Sequence, residues 1–145
     1  MNTCIPEEMK TFNYLSSEID AAYHEAAKRF GLSDSAMQIL YAICNNGEHC
    51  LLSDICRLSG TSKQTINSAL RKLESDGIVY LGTAMGRKKT VYLTKDGKGL
   101  VNRTVARLIQ AENEIFASWS EQELKLYLSL TQKYLISFKH KIKEF

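Results

Sequence analysis

Between Thr61 and Thr94 the chain sets Lys63, Gln64, Asn67, Ser68, Arg71 and Lys72 at helical spacings and follows them with Arg87-Lys88-Lys89 in a β-prone stretch. These residue types suit a nucleic acid duplex. Gln and Asn form paired hydrogen bonds with adenine and Arg with guanine, while Ser and Thr bond bases or phosphate. Residues 61–95 hold seven cations against Glu74 and Asp76, a net +5, whereas the 145-residue chain is +3, so the remainder sums to −2. Positive charge gathered in one segment points to a polyanionic partner, because phosphate neutralisation with counterion release needs clustered Lys and Arg. Charge alone also fits a solvated basic face.

The elements that must position these groups follow from caps and periodicity. Thr61-Ser62-Lys63-Gln64 fits a capping box, with the Thr61 hydroxyl at the Gln64 amide, so a helix is expected from Thr61. Ile66, Ala69, Leu70 and Leu73 fall on one face and leave the polar groups on the others. Asp76-Gly77 stops the helix. Ile78–Leu81 and Thr90–Leu93 read as strands around a turn at Gly82–Gly86, which puts Arg87-Lys88-Lys89 at a hairpin tip able to follow a neighbouring groove or backbone. Upstream, Phe12, Leu15, Ile19, Ala22, Tyr23, Ala26 and Phe30 give a first helix ended by Gly31. Ser33 caps a second helix that Asn45-Asn46-Gly47 breaks, and a short helix over Leu52–Leu58 carries Leu52, Ile55 and Leu58 as its buried stripe. Downstream, Thr94 caps one long helix reaching about Ser118, and Ser120-Glu121-Gln122-Glu123 opens a last one. That last helix has too wide an apolar arc for a single core, so a helical dimer interface is expected. Simple packing of the last two helices on each other is the alternative.

The composition bounds the class. A chain of 145 residues, 44% hydrophobic, supports one domain with a core, or a small domain with an association element. It has no run of about 18 apolar residues and no secretory signal pattern, so a cytoplasmic location and no membrane partner are expected. One proline and eight glycines point to a mainly helical protein. Cys44, Cys50 and Cys56 stand six apart, unlike a zinc-finger arrangement, and His49-Cys50 is a lone dipeptide. No metal or other cofactor is therefore expected. The cysteines read as structural thiols, with Cys4, near the terminus, as the candidate reactive one. His24, His49 and His140 are widely separated, and the chain lacks a nucleophile–base or phosphate-loop motif, so an enzyme is not expected.

The order and spacing of Leu52-Ser53-Asp54-Ile55-Cys56, Gly60-Thr61-Ser62-Lys63-Gln64-Thr65-Ile66, Leu70-Arg71-Lys72-Leu73-Glu74-Ser75-Asp76-Gly77-Ile78 and Gly86-Arg87-Lys88-Lys89-Thr90-Val91-Tyr92-Leu93-Thr94-Lys95-Asp96-Gly97 resemble the MarR family of winged helix-turn-helix regulators. The resemblance covers nearly the whole chain. It implies a mainly α fold with a small β-hairpin wing: one domain over 1–145, with a DNA-binding lobe at about 33–95 and dimerisation helices at about 6–30 and 96–145. It also implies a homodimer, a repressor released by a small molecule or by thiol chemistry, on near-palindromic double-stranded DNA with half-sites about one helical turn apart. The DNA contacts implied are Thr61, Ser62, Lys63, Gln64, Thr65, Asn67, Ser68, Arg71, Lys72, Arg87, Lys88 and Lys89. An effector between the lobe and the dimer helices would involve Tyr14, His24, Met37 and Tyr41. The family commonly has an acidic residue two positions before the wing-tip arginine, where this chain has Met85. A winged-helix module that binds protein instead of DNA is the competing function.

Overall fold

Pro6, with φ already near the helical value, leads into the first helix, α1 (Glu7–Arg29), whose first turn is acidic and last turn basic, matching the helix dipole. Ser33 accepts a hydrogen bond from the Ala36 amide at 3.1 Å and starts α2 (Asp34–Asn45). The chain then forms β1 (His49–Leu51), α3 (Leu52–Ser59), α4 (Lys63–Ser75), β2 (Val79–Ala84), β3 (Lys88–Leu93), α5 (Lys95–Arg103), α6 (Val105–Ala117) and α7 (Glu121–Ile142). This is a computed structural model, and it describes residues 3–84, 86 and 88–145, apart from the side chain of Ala84. The chain divides into two compact units, Met1–Leu108 and Ile109–Phe145. No helix among the described residues is long and apolar enough to cross a membrane.

In the first unit α2 is central, packing on α1, α3, α4 and the sheet. Its Ile39, Leu40 and Ile43 are fully buried, as are Ile55 of α3, Ile66 of α4, Val79 of β2, Val91 of β3 and Val105 of α6. The sheet is antiparallel in the order β1-β3-β2. Across it His49, Tyr92 and Tyr80 occupy one row of the register, with ring centroids 5.3 Å apart for His49–Tyr92 and 5.1 Å for the stacked Tyr80–Tyr92 pair. In the second unit Phe116, Trp119 and Tyr127 pack edge to face where α6 meets α7. Ser120 and Glu123 close the expected capping box there. The Ser120 amide that donates to the Glu123 carboxylate holds that carboxyl below its usual range. This stabilisation is present above the ordinary carboxylate pKa and fades as pH falls through the lowered one.

Three expectations are corrected, and one further strand is present. β1 has no signal in the sequence: three residues are too short for an alternating pattern, and the strand exists because β3 pairs with it. The hairpin is longer than expected, because Gly82, Thr83 and Ala84 pair with Thr90, Lys89 and Lys88. Lys88 and Lys89 therefore sit in the ladder instead of at its tip. Leu58 leaves the expected stripe and is 56% exposed. The single helix from Thr94 to Ser118 is two helices, divided at Thr104, where φ is −126° and ψ −93°. The buried Thr104 hydroxyl donates to the Leu100 carbonyl at 2.7 Å, a back-bond that competes with helix geometry.

α5 is fastened to the base of the wing. The Thr94 amide donates to the Ile78 carbonyl at 3.0 Å, and the Thr94 hydroxyl donates to the Gly77 carbonyl at 2.6 Å while accepting from the Gly97 amide at 2.9 Å. A methyl group on Gly97 would fall inside contact distance of the Ile78 carbonyl oxygen, a rigid backbone atom. At Gly99 it would meet only the flexible end of Arg103, 3.3 Å away. Gly97→Ala is expected to destabilise the protein by about 2–3 kcal/mol, as overpacking does. Gly99→Ala is expected to raise stability by up to about 1 kcal/mol through helix propensity. Urea titration of both variants checks the contrast.

Candidate nucleic-acid interface

The turn between α3 and α4 sets the site. Gly60 adopts φ 63°, the left-handed conformation that lets the chain reverse after α3. The cap of α4 lies one residue later than the sequence suggests. Ser62, not Thr61, accepts from a helix amide, that of Thr65 at 3.2 Å, and the Ser62 and Thr65 hydroxyls stand 2.8 Å apart. Thr61 is drawn elsewhere: its hydroxyl donates to Gln38 Oε1 on α2 at 3.0 Å. Two adjacent hydroxyl residues both satisfy capping chemistry, and only tertiary structure chooses between them.

α4 then buries Ile66, Leu70 and Leu73, which leaves Lys63, Gln64, Thr65, Ser68, Arg71 and Lys72 exposed and Asn67 half-buried. Between α4 and the wing lies a cleft of about 440 Å³ lined by Leu52, Asn67, Leu70, Arg71, Leu81, Gly82, Thr83 and Lys89. Lys89, opposite Thr83 in the ladder, shares this cleft with Arg71, whereas its neighbour Lys88 is the next residue along the strand, opposite Ala84. Among the described residues no carboxylate pairs with Lys63, Arg71, Lys72, Lys88 or Lys89, although the same chain neutralises Arg57 with Asp54 and Lys98 with Glu48. Five cations left unneutralised around one helix and ribbon are electrostatically suited to a phosphate backbone. Arg87 and Met85 lie outside the described residues.

The sequence-predicted DNA residues on α4 are thus brought to one exposed surface, with Lys89 facing it across the cleft. Gln38 joins them without a sequence signal, because its partner Thr61 is 23 residues away and no local pattern links the two. The candidate effector residues are less unified. Tyr14 is exposed on α1, and His24, also exposed, has Nδ1 2.9 Å from both oxygens of Asp34. On α2, Met37 belongs to the buried core and Tyr41 is half-buried. Among the described residues no three His, Cys, Asp or Glu side chains group as a metal site.

Cys4 is exposed, Cys44 and Cys56 are half-buried, and Cys50 is buried with the Asn46 side-chain amide donating to its sulfur at 3.4 Å. Burial pushes the Cys44 thiol up, and burial together with the Asp54 carboxylate does so at Cys50.

A helix whose polar face stands exposed after a tight turn, beside a two-stranded ribbon, defines the winged helix-turn-helix class of DNA-binding protein. The family model described as MarR family matches residues 30–88. The HTH-type transcriptional regulator PecS of Dickeya dadantii (strain 3937) is 27% identical over 134 residues, covering 88% of this chain and 81% of that protein. In the S. aureus MepR–DNA complex the protein is 20% identical with a TM-score of 0.67, over 93% of this chain and 99% of that one. Bordetella bronchiseptica BpsR, whose DNA binding is regulated by 6-hydroxynicotinic acid, is 19% identical with a TM-score of 0.62, over 86% and 98%. Over residues 30–88 the chain matches the MarR family model, and its fold is that of the MarR-type winged helix-turn-helix structures. The proteins it resembles are transcriptional regulators.

The thiols give a direct check on the burial pattern. Cys4 is expected to alkylate first at pH 7.5, and labelling of Cys44 and Cys50 is expected to be still rising steeply at pH 10, because their raised pKa values delay the thiolate. Mass spectrometry of a labelling time course across pH 7–10 reads both.

Proposed function

We propose that this chain is a homodimeric repressor that reads near-palindromic double-stranded DNA through α4 and is released by a small molecule or by thiol chemistry. The observation that carries the reading is the exposed Lys63, Gln64 and Arg71 and half-buried Asn67 on α4, with Lys88 and Lys89 beside them and no carboxylate paired to either among the described residues. Gln64, Asn67 and Arg71 supply base-reading chemistry. Ser62, Lys63, Thr65, Ser68, Lys72, Lys88 and Lys89 supply attraction and register on the phosphates, as does Arg87 by its place in the sequence.

Dimer formation is supported by surface that the single chain leaves open. α7 buries no residue, and Leu126, Leu128, Leu130, Leu135, Ile136 and Phe138 are all exposed. On α1, Phe12, Leu15 and Ile19 are exposed as well. Apolar surface on this scale marks an association face. In this reading residues 33–95 form the DNA-binding lobe, and residues 6–30 and 96–145 form the dimer arms. Release by a small molecule follows the behaviour of BpsR, with Tyr14, His24, Met37 and Tyr41 as the effector residues and Cys4 as the thiol.

Duplex binding across a salt series tests the reading. The Lys88→Ala/Lys89→Ala double variant is expected to flatten the plot of log affinity against log salt by about 0.9 for each phosphate that is no longer neutralised. Gln64→Ala is expected to leave that slope unchanged and to relax base preference by about 1–3 kcal/mol at the position it reads. Salt-independent binding overturns the DNA assignment, and a chain that sediments as a monomer at micromolar concentration overturns the dimer.

A further inference from the structure

The entry into α4 is tied to the core by a side chain outside both the helix and the wing. Gln38 is half-buried and sits on α2 between Met37 and Ile39, both of which belong to the buried core. Its Oε1 accepts the Thr61 hydroxyl at 3.0 Å. Thr61 directly precedes Ser62, whose hydroxyl caps α4. A second tie fixes the same residue from α3: the Thr61 amide donates to Ser59 Oγ at 3.2 Å, and Ser59 Oγ donates to the Cys56 carbonyl at 3.0 Å. Thr61 is therefore held from two sides: its hydroxyl donates into the protein, toward Gln38 Oε1 at 3.0 Å with the Ser59 carbonyl as a more distant second acceptor at 3.3 Å.

We infer that Gln38 is a positioning residue for sequence readout, fixing the N-terminal end of α4 through the Thr61 hydroxyl. The inference rests on α4 being the helix that reads DNA. Paired hydrogen bonds to a base edge tolerate little displacement, so the placement of Lys63, Gln64 and Asn67 depends on what holds the start of their helix. The backbone of α2 is the firmest available anchor, since Ile39, Leu40 and Ile43 are fully buried. Gly60, the residue before Thr61, is in a left-handed turn and offers no side chain of its own to fix the junction.

Thr61→Val, Gln38→Met, their double variant and Thr61→Ser, all in the full chain, separate this role from its alternatives. The probe is a duplex selected from a random library by the wild-type protein, with an unselected duplex as control. Thr61→Val and Gln38→Met are each expected to weaken binding to the selected duplex by about 3- to 10-fold, the range of one hydrogen bond. The double variant is expected to be no weaker than the worse single, because both remove the same link. Thr61→Ser, which keeps the hydroxyl, is expected to stay within about twofold of wild type, with salt slope and unselected-duplex affinity unchanged in every variant. Additive losses, no loss, or equal loss on both duplexes overturns the inference. A salt slope reduced by about 0.9 in Gln38→Met also overturns it, by making Gln38 a phosphate contact. A wild-type chain that enriches no duplex overturns the DNA reading and this inference together, whereas the other failures leave the DNA reading standing.

Discussion

Burial of α2 is the constraint on which the rest of the first unit depends. Ile39, Leu40 and Ile43 are out of contact with water, and α1, α3, α4 and the sheet close around them. Each fully buried aliphatic side chain contributes about 1.5–3 kcal/mol on transfer from water. α3 and α4 are short and strongly amphipathic, so their orientation follows from presenting Ile55 and from Ile66, Leu70 and Leu73 to that centre. Once Ile66 and Leu70 face α2, helical geometry leaves Gln64, Ser68, Arg71 and Lys72 no position other than outward. The exposed polar face of α4 is in this sense the complement of the core.

The wing obeys the same logic through the sheet. Val91 and Leu93 of β3 and Val79 of β2 are buried, and the two-residue period of a strand then fixes which side each neighbour takes. Lys89 comes to the α4 cleft because it lies two residues from Val91. Thr94 fastens the end of β3 to Gly77 and Ile78, so the segment leaving α4 and the segment leaving the wing meet at one set of hydrogen bonds. α4 and the ribbon are joined there as well as through the core.

Much of this is legible in the sequence, for identifiable reasons. Ser33 and Ser120 each precede a helix with a side chain in capping reach, and Gly31 and Gly77 mark real helix ends, so local chemistry is enough to place the main helices. The apolar spacing of Ile66, Leu70 and Leu73 locates the polar face of α4 directly. What stays illegible is what depends on partners distant in the chain. β1 exists by pairing with a strand about 40 residues later, Thr104 breaks a helix by where its hydroxyl is buried, and the Thr61 hydroxyl turns to Gln38 and the Ser59 carbonyl while Ser62 caps α4. Leu58 satisfies the periodicity of α3 yet finds nothing to cover it. Periodicity reports a helical face, whereas burial requires a neighbour.

The row of His49, Tyr92 and Tyr80 crosses all three strands near the end of the sheet farthest from the tip. Its rings stitch the ribbon's base to β1, and β1 continues directly into α3. The base of the wing is thereby braced like a cantilever at its wall. The rungs beyond it, Gly82–Thr90 and Thr83–Lys89, carry the wing's side of the cleft, so the aromatic row anchors the part of the ribbon from which that side projects.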